Sequence, residues 1–329
     1  MASSLSIREP GSSPQGNFDV SRLAVVTVTY QPDCALLKAQ LSSLPESALK
    51  IVVDNHSGND ARAMLREICD AKSRIVLVEN EANQGLPAAI NRGVRLALQV
   101  LPDCSYLLLL DQDTQPCDKG VLQLLEWYER LRHLGSNPGC VGPMLADAVT
   151  GLKHGFHRME GWRWVRRYPG PDDPPLECHN LNCSGTLLSA EIFMRLGGME
   201  EDLFIDHLDT EWAFRVQAAG YRLYGIPTVS FRHQMGQTSW RIWMGGWRIW
   251  PYRSPARHFF LFRNAVRLMR RDYVPIVWKF WAIPKLALTV CVHLVLDPQR
   301  WRQLRSMTRG IWAGFQREGK VDNSSSRLL

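Results

Sequence analysis

Asp111-Gln112-Asp113 follows directly on SYLLLL (105–110), and it has the clearest chemical potential of any tripeptide in the chain. Two carboxylates one residue apart on a loop can share a hard divalent cation, which can in turn bridge the oxygens of a diphosphate. Magnesium keeps several waters and needs only one or two carboxylates beside substrate phosphates, so a small protein ligand set suffices. On a solvated loop such a pair means little. At the end of a buried strand, two acids repel each other unless a counter-ion is present. A second acidic group, Asp206, Asp209 and Glu211, lies in FIDHLDTEWAFR. Helical spacing predicts Asp206 and Asp209 on one face, with Glu211 turned away. Among Phe204, Ile205, Leu208 and Trp212 these acids would be half-buried, which raises a carboxylate's pKa and suits a general base. The plainer alternative is an acidic first turn complementing a helix dipole. His233, after TVSFR, is either a metal or phosphate ligand or a structural histidine. Asn83 to Gly93, NQGLPAAINRG, opens a helix: Gly85 permits a tight turn, and small residues let the helix N-terminus approach a ligand. Asn91 there reads, in isolation, as solvent-facing.

The elements that must position these groups alternate along the chain. LAVVTVTY (from Leu23) is a nearly continuous apolar run, as expected of a strand buried on both faces. Helical stretches near Ala35–Leu44, Asp60–Cys69 and Pro87–Leu98 alternate with the strands KIVVD, RIVLV and SYLLLL. This rhythm predicts an α/β fold with a mostly parallel sheet flanked by helices. Ligands bind beyond the carboxyl ends of such strands, where Tyr30, Asp54, Asn55, Asn80, Asp111 and Asp113 all fall. GxGxxG and GxxxxGK[ST] are both missing, which argues against a dinucleotide fold and a P-loop NTPase. A helix from Gly120 to about His133 and a strand over 140–145 follow. The Gly-, Pro-, Trp- and Arg-rich stretch 150–175 reads as a long functional loop. A further ordered block then runs from NCSGTLLS, through a helix near Ala190–Leu196, to FRH.

Beyond residue 236 the character changes. Arg232 to Lys320 holds seventeen Lys/Arg against three Asp/Glu, a local charge of +14, which leaves −7 of the overall +7 for the remainder. Eight of the twelve tryptophans lie there too, at 240, 243, 247, 250, 278, 281, 301 and 312. Indole rings favour the membrane–water interface and basic side chains favour anionic surfaces, so the combination predicts a membrane partner over nucleic acid. Trp240, Trp243, Trp247 and Trp250 recur at helical spacing. Val274 to Leu296 is broken by Lys279, Lys285, His293, Pro275 and Pro284, and reads as a surface-lying or packed helix, not a span. The eight cysteines show no CxxC or zinc spacing and read as reduced, mostly buried thiols of a cytosolic protein. MASSLSIREPGSSPQGNFD has no apolar core and reads as a flexible leader. The predicted organisation is a leader over 1–20, a catalytic domain over 21–236, a helical, basic, membrane-associating region over 237–320 and a flexible tail over 321–329.

In this order and spacing, VTVTY, VVDN, NQGLPAAINRG, LLLLDQD, NCSGTLL, LFIDHLDTEWAFR and FRHQMG resemble glycosyltransferase family 2, inverting enzymes of the Rossmann-like GT-A fold. The resemblance covers about Leu23 to Gly236. FIDHLDTEW with DQD, and RHFFLFRN (257–264), are most similar to the bacterial rhamnosyltransferases of that family. The resemblance implies that Thr29, Tyr30 and Asp54 hold the nucleotide, and that Asn83, Gly85 and Asn91 line the nucleotide-sugar cleft. It implies that Asp111, with Gln112 beside it, faces the ribose or the metal's waters, and that Asp113 binds Mg²⁺ or Mn²⁺. Ser184 and Gly185 would line the sugar pocket, and His233 would assist the metal and diphosphate. Asp209 matches the catalytic base. Many relatives have Glu-Asp at this point; here Leu208 precedes Asp209, so Asp206 stands as the other candidate.

The activity expected from this resemblance is inverting transfer of a sugar, L-rhamnose from dTDP-L-rhamnose, to a lipid-linked, lipopolysaccharide or glycolipid acceptor at the inner face of the cytoplasmic membrane. The alternatives are another donor, such as a UDP-hexose or UDP-galactofuranose, or a non-catalytic glycan- or membrane-binding module. A nucleotidyltransferase would carry a Gly- and Arg/Lys-rich loop after its first strand, where this chain has TYQPDC.

Overall fold

The computed structural model describes residues 18–71, 73–234, 239–243 and 247–316. Residues 1–17 of the predicted 1–20 leader, the 236 boundary and the 321–329 tail lie outside the described residues. Four parallel strands form the first half of the sheet: β1 (Leu23–Thr29), β2 (Leu49–Asp54), β3 (Ile75–Glu79) and β4 (Tyr106–Asp111). Helices α1 (Cys34–Ser43), α2 (Asn59–Asp70) and α3 (Leu86–Val100) connect them. Short β5 (Thr114–Gln115) leads to α4 (Gly120–His133) and β6 (Pro138–Asp147). The second half adds β7 (Lys153–His154), the hairpin β8 (Phe156–Glu160) and β9 (Arg163–Arg167), then β10 (Leu176–Cys178), β11 (Leu187–Ser189), α5 (Ala190–Arg195), α6 (Leu208–Ala218) and β12 (Arg222–His233). The stretch predicted as a long loop over 150–175 therefore contains strands.

The main sheet has ten strands, ordered β10-β12-β6-β11-β4-β1-β2-β3, with β5 on β12 and β7 on β6. β11 runs antiparallel between β4 and β6, so the sheet is mixed where the sequence rhythm suggested mostly parallel. Alternate residues of each strand enter two cores. Ala24, Val26, Ile51, Val53, Leu107 and Leu109 face α3 and α6. Leu23, Val25, Val52, Leu108 and Leu110 face α1, α2 and α4. Burial on both faces is why these strands read as unbroken apolar runs. Gly93 lets α3 lie directly on the sheet, because a Cβ there would stand 2.6 Å from Val26 and 2.9 Å from Val53.

The C-terminal region does not begin as a helix. SWRIW and WRIWP form an antiparallel hairpin, β13 (Ser239–Trp243) and β14 (Trp247–Pro251), pairing Trp240 with Trp250 and Trp243 with Trp247. The helical spacing of the tryptophans was fortuitous: aromatic and β-branched residues favour cross-strand pairing, and the two runs carry them in an antiparallel register. Helices α7 (Pro255–Met269), α8 (Ile276–Leu296) and α9 (Arg300–Phe315) follow. All eight cysteines are free thiols; three are buried, four half-buried, and Cys291 is exposed.

Candidate active site

The DQD turn links β4 to β5, and β5 pairs antiparallel with the end of β12, setting Thr114 opposite His233. This register brings His233 to Asp113 across more than a hundred residues. The ligand atoms of Asp111, Asp113 and His233 lie within 4.8 Å of one another. His233 Nδ1 is 3.3 Å from Asp113 Oδ1 and 2.7 Å from Thr114 Oγ1. Thr114 Oγ1 also meets Ser184 Oγ at 2.6 Å, and that hydroxyl accepts from the Asp111 N–H at 2.9 Å. From α1, the buried Gln40 amide donates to the carbonyls of Asp111 (2.7 Å) and Thr114 (2.6 Å). The turn is thus held by side chains from three elements. Burial pushes the carboxyls of both Asp111 and Asp113 above their usual range, His233 opposes this, and the Asp113 charge adds to the shift at Asp111. Two desolvated acids and an imidazole around one point form a donor set that a hard divalent ion fits.

The residues expected around the nucleotide divide by what they touch. Tyr30 is exposed at the end of β1, and its N–H donates to Gln112 Oε1 at 2.7 Å. Thr29 and Asp54 are sealed beneath it. Thr29 Oγ1 donates to Asp54, whose other contacts are the backbone N–H and the hydroxyl of Ser57. They form the floor of the crevice. Asn83 Oδ1 accepts from Asn55 and from the Gly85 N–H. Gly85, at φ +84°, is required by the protein itself: a Cβ there would lie 2.7 Å from Phe204. Its close approach within the protein is to the Phe204 backbone and ring. Asn91 is buried, not solvent-facing. Its amide bonds the Met199 carbonyl and Glu201, and its oxygen accepts from the Met199 N–H, so it clasps the loop before α6. Gly185 has φ +86°, and a Cβ there would strike Pro143 at 2.7 Å.

The acidic group of FIDHLDTEW is not one helical face. Phe204, Asp206 and His207 have φ of 61–63°, and α6 starts only at Leu208. Left-handed backbone at three non-glycine residues is costly and persists only where surroundings enforce it. Helix α7 does so. The Asn264 amide donates to the carbonyls of Leu203 (2.8 Å), Ile205 (2.8 Å) and Asp206 (3.0 Å), and Arg263 bonds those of Asp202 and Leu203. Arg257 makes two contacts to the Asp206 carboxylate at 3.1 and 3.3 Å, and Arg253 approaches it at 3.8 Å. Burial alone would raise the Asp206 carboxyl, but these guanidiniums hold it below its ordinary value. Asp209, in the first turn of α6, forms no ion pair among the described residues; Arg253, Arg257 and Lys285 act on it only from a greater distance. Burial pushes its carboxyl up to about 6, with Asp206 and Asp111 adding to the shift. Glu211 pairs with Arg215 (2.7 Å) and accepts from Tyr273 Oη (2.7 Å), a packing role.

Gln40, Thr114, Arg253, Arg257, Arg263 and Asn264 are absent from the sequence-based set of site residues. A glutamine on the same helical face as Leu37 and Leu41 was one available signal, and RHFFLFRN was another. An expected result follows from the latter: Asn264→Ala leaves the Leu203 carbonyl to Arg263 but strips the amide from those of Ile205 and Asp206 and lets the loop relax, and a shift of about 1 Å at a catalytic group costs on the order of 10²-fold in rate. Steady-state kinetics should show kcat reduced with the donor KM nearly unchanged; an unchanged kcat would mean that the loop holds itself.

Comparison with known proteins bears on this geometry. Residues 37–197 match the family described as glycosyl transferase family 2. A dTDP-rhamnosyl transferase, RfbF of Shigella flexneri, is 28% identical over 270 residues, covering 78% of this chain and 83% of that one. Among solved structures, the mannosyltransferase PcManGT of Pyrobaculum calidifontis, in complex with GDP-Man and Mn²⁺, superposes with a TM-score of 0.53 at 16% identity, over 94% of this chain and 89% of the other. S. aureus TarS 1–349 with UDP-GlcNAc gives a TM-score of 0.55 at 13% identity, over 93% and 83%. These structural likenesses establish a GT-A-like fold.

Proposed function

We propose that this chain, a glycosyltransferase of family 2, moves L-rhamnose from dTDP-β-L-rhamnose to a hydroxyl of a lipid-linked, lipopolysaccharide or glycolipid acceptor with inversion at the anomeric carbon. The observation that carries the reading is the juxtaposition of Asp209, an acid of raised proton affinity, with the Asp111–Asp113–His233 cluster. Support for rhamnose comes from the similarity to RfbF.

In this reading Asp209 takes the proton from the acceptor hydroxyl as that oxygen attacks the face of the sugar opposite the leaving diphosphate. Asp113, with Asp111 and His233, would hold a divalent ion, which when bound would supply positive charge opposite the leaving diphosphate. Tyr30, at the open end of β1, offers a ring to the nucleotide. Asp206, neutralised by Arg257 and Arg253, is a weak base and serves the shape of the loop. The enzyme works at the inner face of the cytoplasmic membrane, held peripherally by its basic C-terminal region.

The test is a screen of purified protein against dTDP-rhamnose, common UDP-hexoses and UDP-galactofuranose, scoring donor hydrolysis and thermal shift with and without Mg²⁺ or Mn²⁺. The expected result is metal-dependent stabilisation and hydrolysis with dTDP-rhamnose. Preference for a UDP-sugar would overturn the rhamnosyl assignment, and no response to any donor would overturn catalysis.

A further inference from the structure

Helix α8 is amphipathic in the wrong sense for water. Its buried residues, Trp278, Ala282, Thr289, Val292 and His293, form one stripe. The opposite stripe, at matching 3.6-residue spacing, is Ile276, Phe280, Ile283, Ala287, Cys291 and Val295, with no charge. Val295 is 77% exposed, Phe280 62%, Ile283 58% and Ile276 53%. A helix on a globular protein normally turns its polar face outward. The helix has 21 residues and a mean hydropathy of 1.5, long and apolar enough to cross a bilayer. Its inner stripe is nevertheless occupied: His293 bonds Asp297 at 3.0 Å, and Trp278 meets Phe214 of the catalytic domain. Crossing would strip those contacts, whereas lying in the interface keeps them.

Helix α9 divides its surface differently. Gln303, Met307, Gly310 and Gly314 are buried. The exposed half carries Trp301, Trp312 and Phe315 on one side, at 72%, 72% and 63% exposure. On the other side, Arg302, Arg305 and Arg309 line a groove of about 540 Å³ with Ser306 and the first residues of α7, Ser254 to Ala256. No acid lines this groove, and no described residue forms an ion pair with any of the three arginines. The first-turn N–H groups of α7 add partial positive charge to its wall. At the tip of the β8–β9 hairpin, Trp162 stands edge-on to Phe280 at 6.2 Å, and its carbonyl accepts from Trp281 Nε1 at 2.9 Å, extending the aromatic rim.

Resting on the membrane reading above, we propose that this is the surface that binds the bilayer. The outer stripe of α8 and the aromatic side of α9 seat at the boundary of headgroups and acyl chains, and the groove takes phosphates of anionic lipids. Charge complementarity selects the occupant: an apolar stripe beside unpaired arginines fits a lipid of negative headgroup. A second copy of the chain packed two-fold on this face would bring arginines toward arginines. The groove's α7 wall is flanked by Arg253 and Arg257, the residues that grip Asp206. Docking here therefore places the bilayer on the same helix end that holds the acidic loop.

The experiment is co-sedimentation of the full chain with phosphatidylcholine vesicles, with and without phosphatidylglycerol, for wild type, Phe280→Ser/Ile283→Ser and Arg302→Gln/Arg305→Gln/Arg309→Gln. Donor hydrolysis and size-exclusion profiles verify that each variant is folded. Wild type should bind anionic vesicles in a salt-sensitive way. The triple arginine variant should lose about 100-fold in affinity for them, and the stripe variant should lose binding to either vesicle. Wild-type binding that both variants retain would overturn this surface and leave docking to another part of the tail. Absence of wild-type binding would overturn the membrane reading as well. A wild-type dimer that the stripe variant converts to monomer, with vesicle binding unchanged, would assign the face to a second copy.

Discussion

Asp209→Asn is expected to lower kcat by on the order of 10²–10⁴, the worth of a general base, while donor and metal affinity stay close to wild type. Asparagine keeps the volume and the hydrogen bond accepted from the Thr210 N–H, so the first turn of α6 should survive. The effect is assigned to Asp209 and not to Asp206 on electrostatic grounds. Asp206 is held in its charged form by Arg257 and Arg253, and a carboxylate stabilised in that way has little affinity for a proton. Asp209 is desolvated with no ion pair among the described residues, and its carboxyl is raised to about 6. The sign of the pH dependence follows. Below that value the free enzyme carries a protonated Asp209 that cannot accept the hydroxyl proton, so kcat/KM falls about tenfold per pH unit on the acid side and levels off above it. Asp209→Asn should abolish that limb together with the rate. A collapse of kcat in Asp206→Asn, with Asp209→Asn nearly silent, would reverse the assignment.

Asp113→Ala is expected to abolish detectable transfer and metal-dependent donor binding without unfolding the protein. Its carboxylate is half-buried at the turn and among the described residues has its close side-chain contact with His233, so little packing is lost. What is lost is one of three donors converging within 4.8 Å. With burial already disfavouring charge on both acids, no neighbouring carboxylate can substitute for it. Removing the metal should give the same phenotype: excess EDTA should silence the wild type, and Mg²⁺ or Mn²⁺ should restore it. The Asp113→Ala protein should show neither loss nor recovery. Full activity in EDTA would take the metal out of the mechanism. Thermal melts in the absence of donor and metal should leave wild type and variant within a few degrees of each other, since the lost contact to His233 is offset by the removal of a desolvated carboxylate.

How much of this was legible in the sequence depended on whether the controlling interaction was local. The strands β1 to β4 and the helices between them were visible because burial on both faces demands apolar runs of strand length, broken by helical periodicity. Asp111 and Asp113 were visible for the same reason: acids that end an all-leucine strand stand out against it. Their company did not. His233 reaches Asp113 only through the β5–β12 register, Gln40 reaches the turn from another helix, and β11 enters the sheet antiparallel between β4 and β6. The acidic motif misled where its backbone left the helix. Three left-handed residues are imposed by Asn264 and Arg263, some sixty residues away, and no local propensity encodes that. The tryptophans at 240 to 250 carried a helical period and a strand pairing at once, and cross-strand contact decided between them. By itself the sequence determined the α/β rhythm, the acidic crevice and the charge of the tail. Only the tertiary structure decided which acid is bonded by a guanidinium, because a carboxylate's proton affinity is set by the charges and the desolvation folded around it: Arg257 bonds Asp206, whereas at Asp209 burial outweighs the more distant cations.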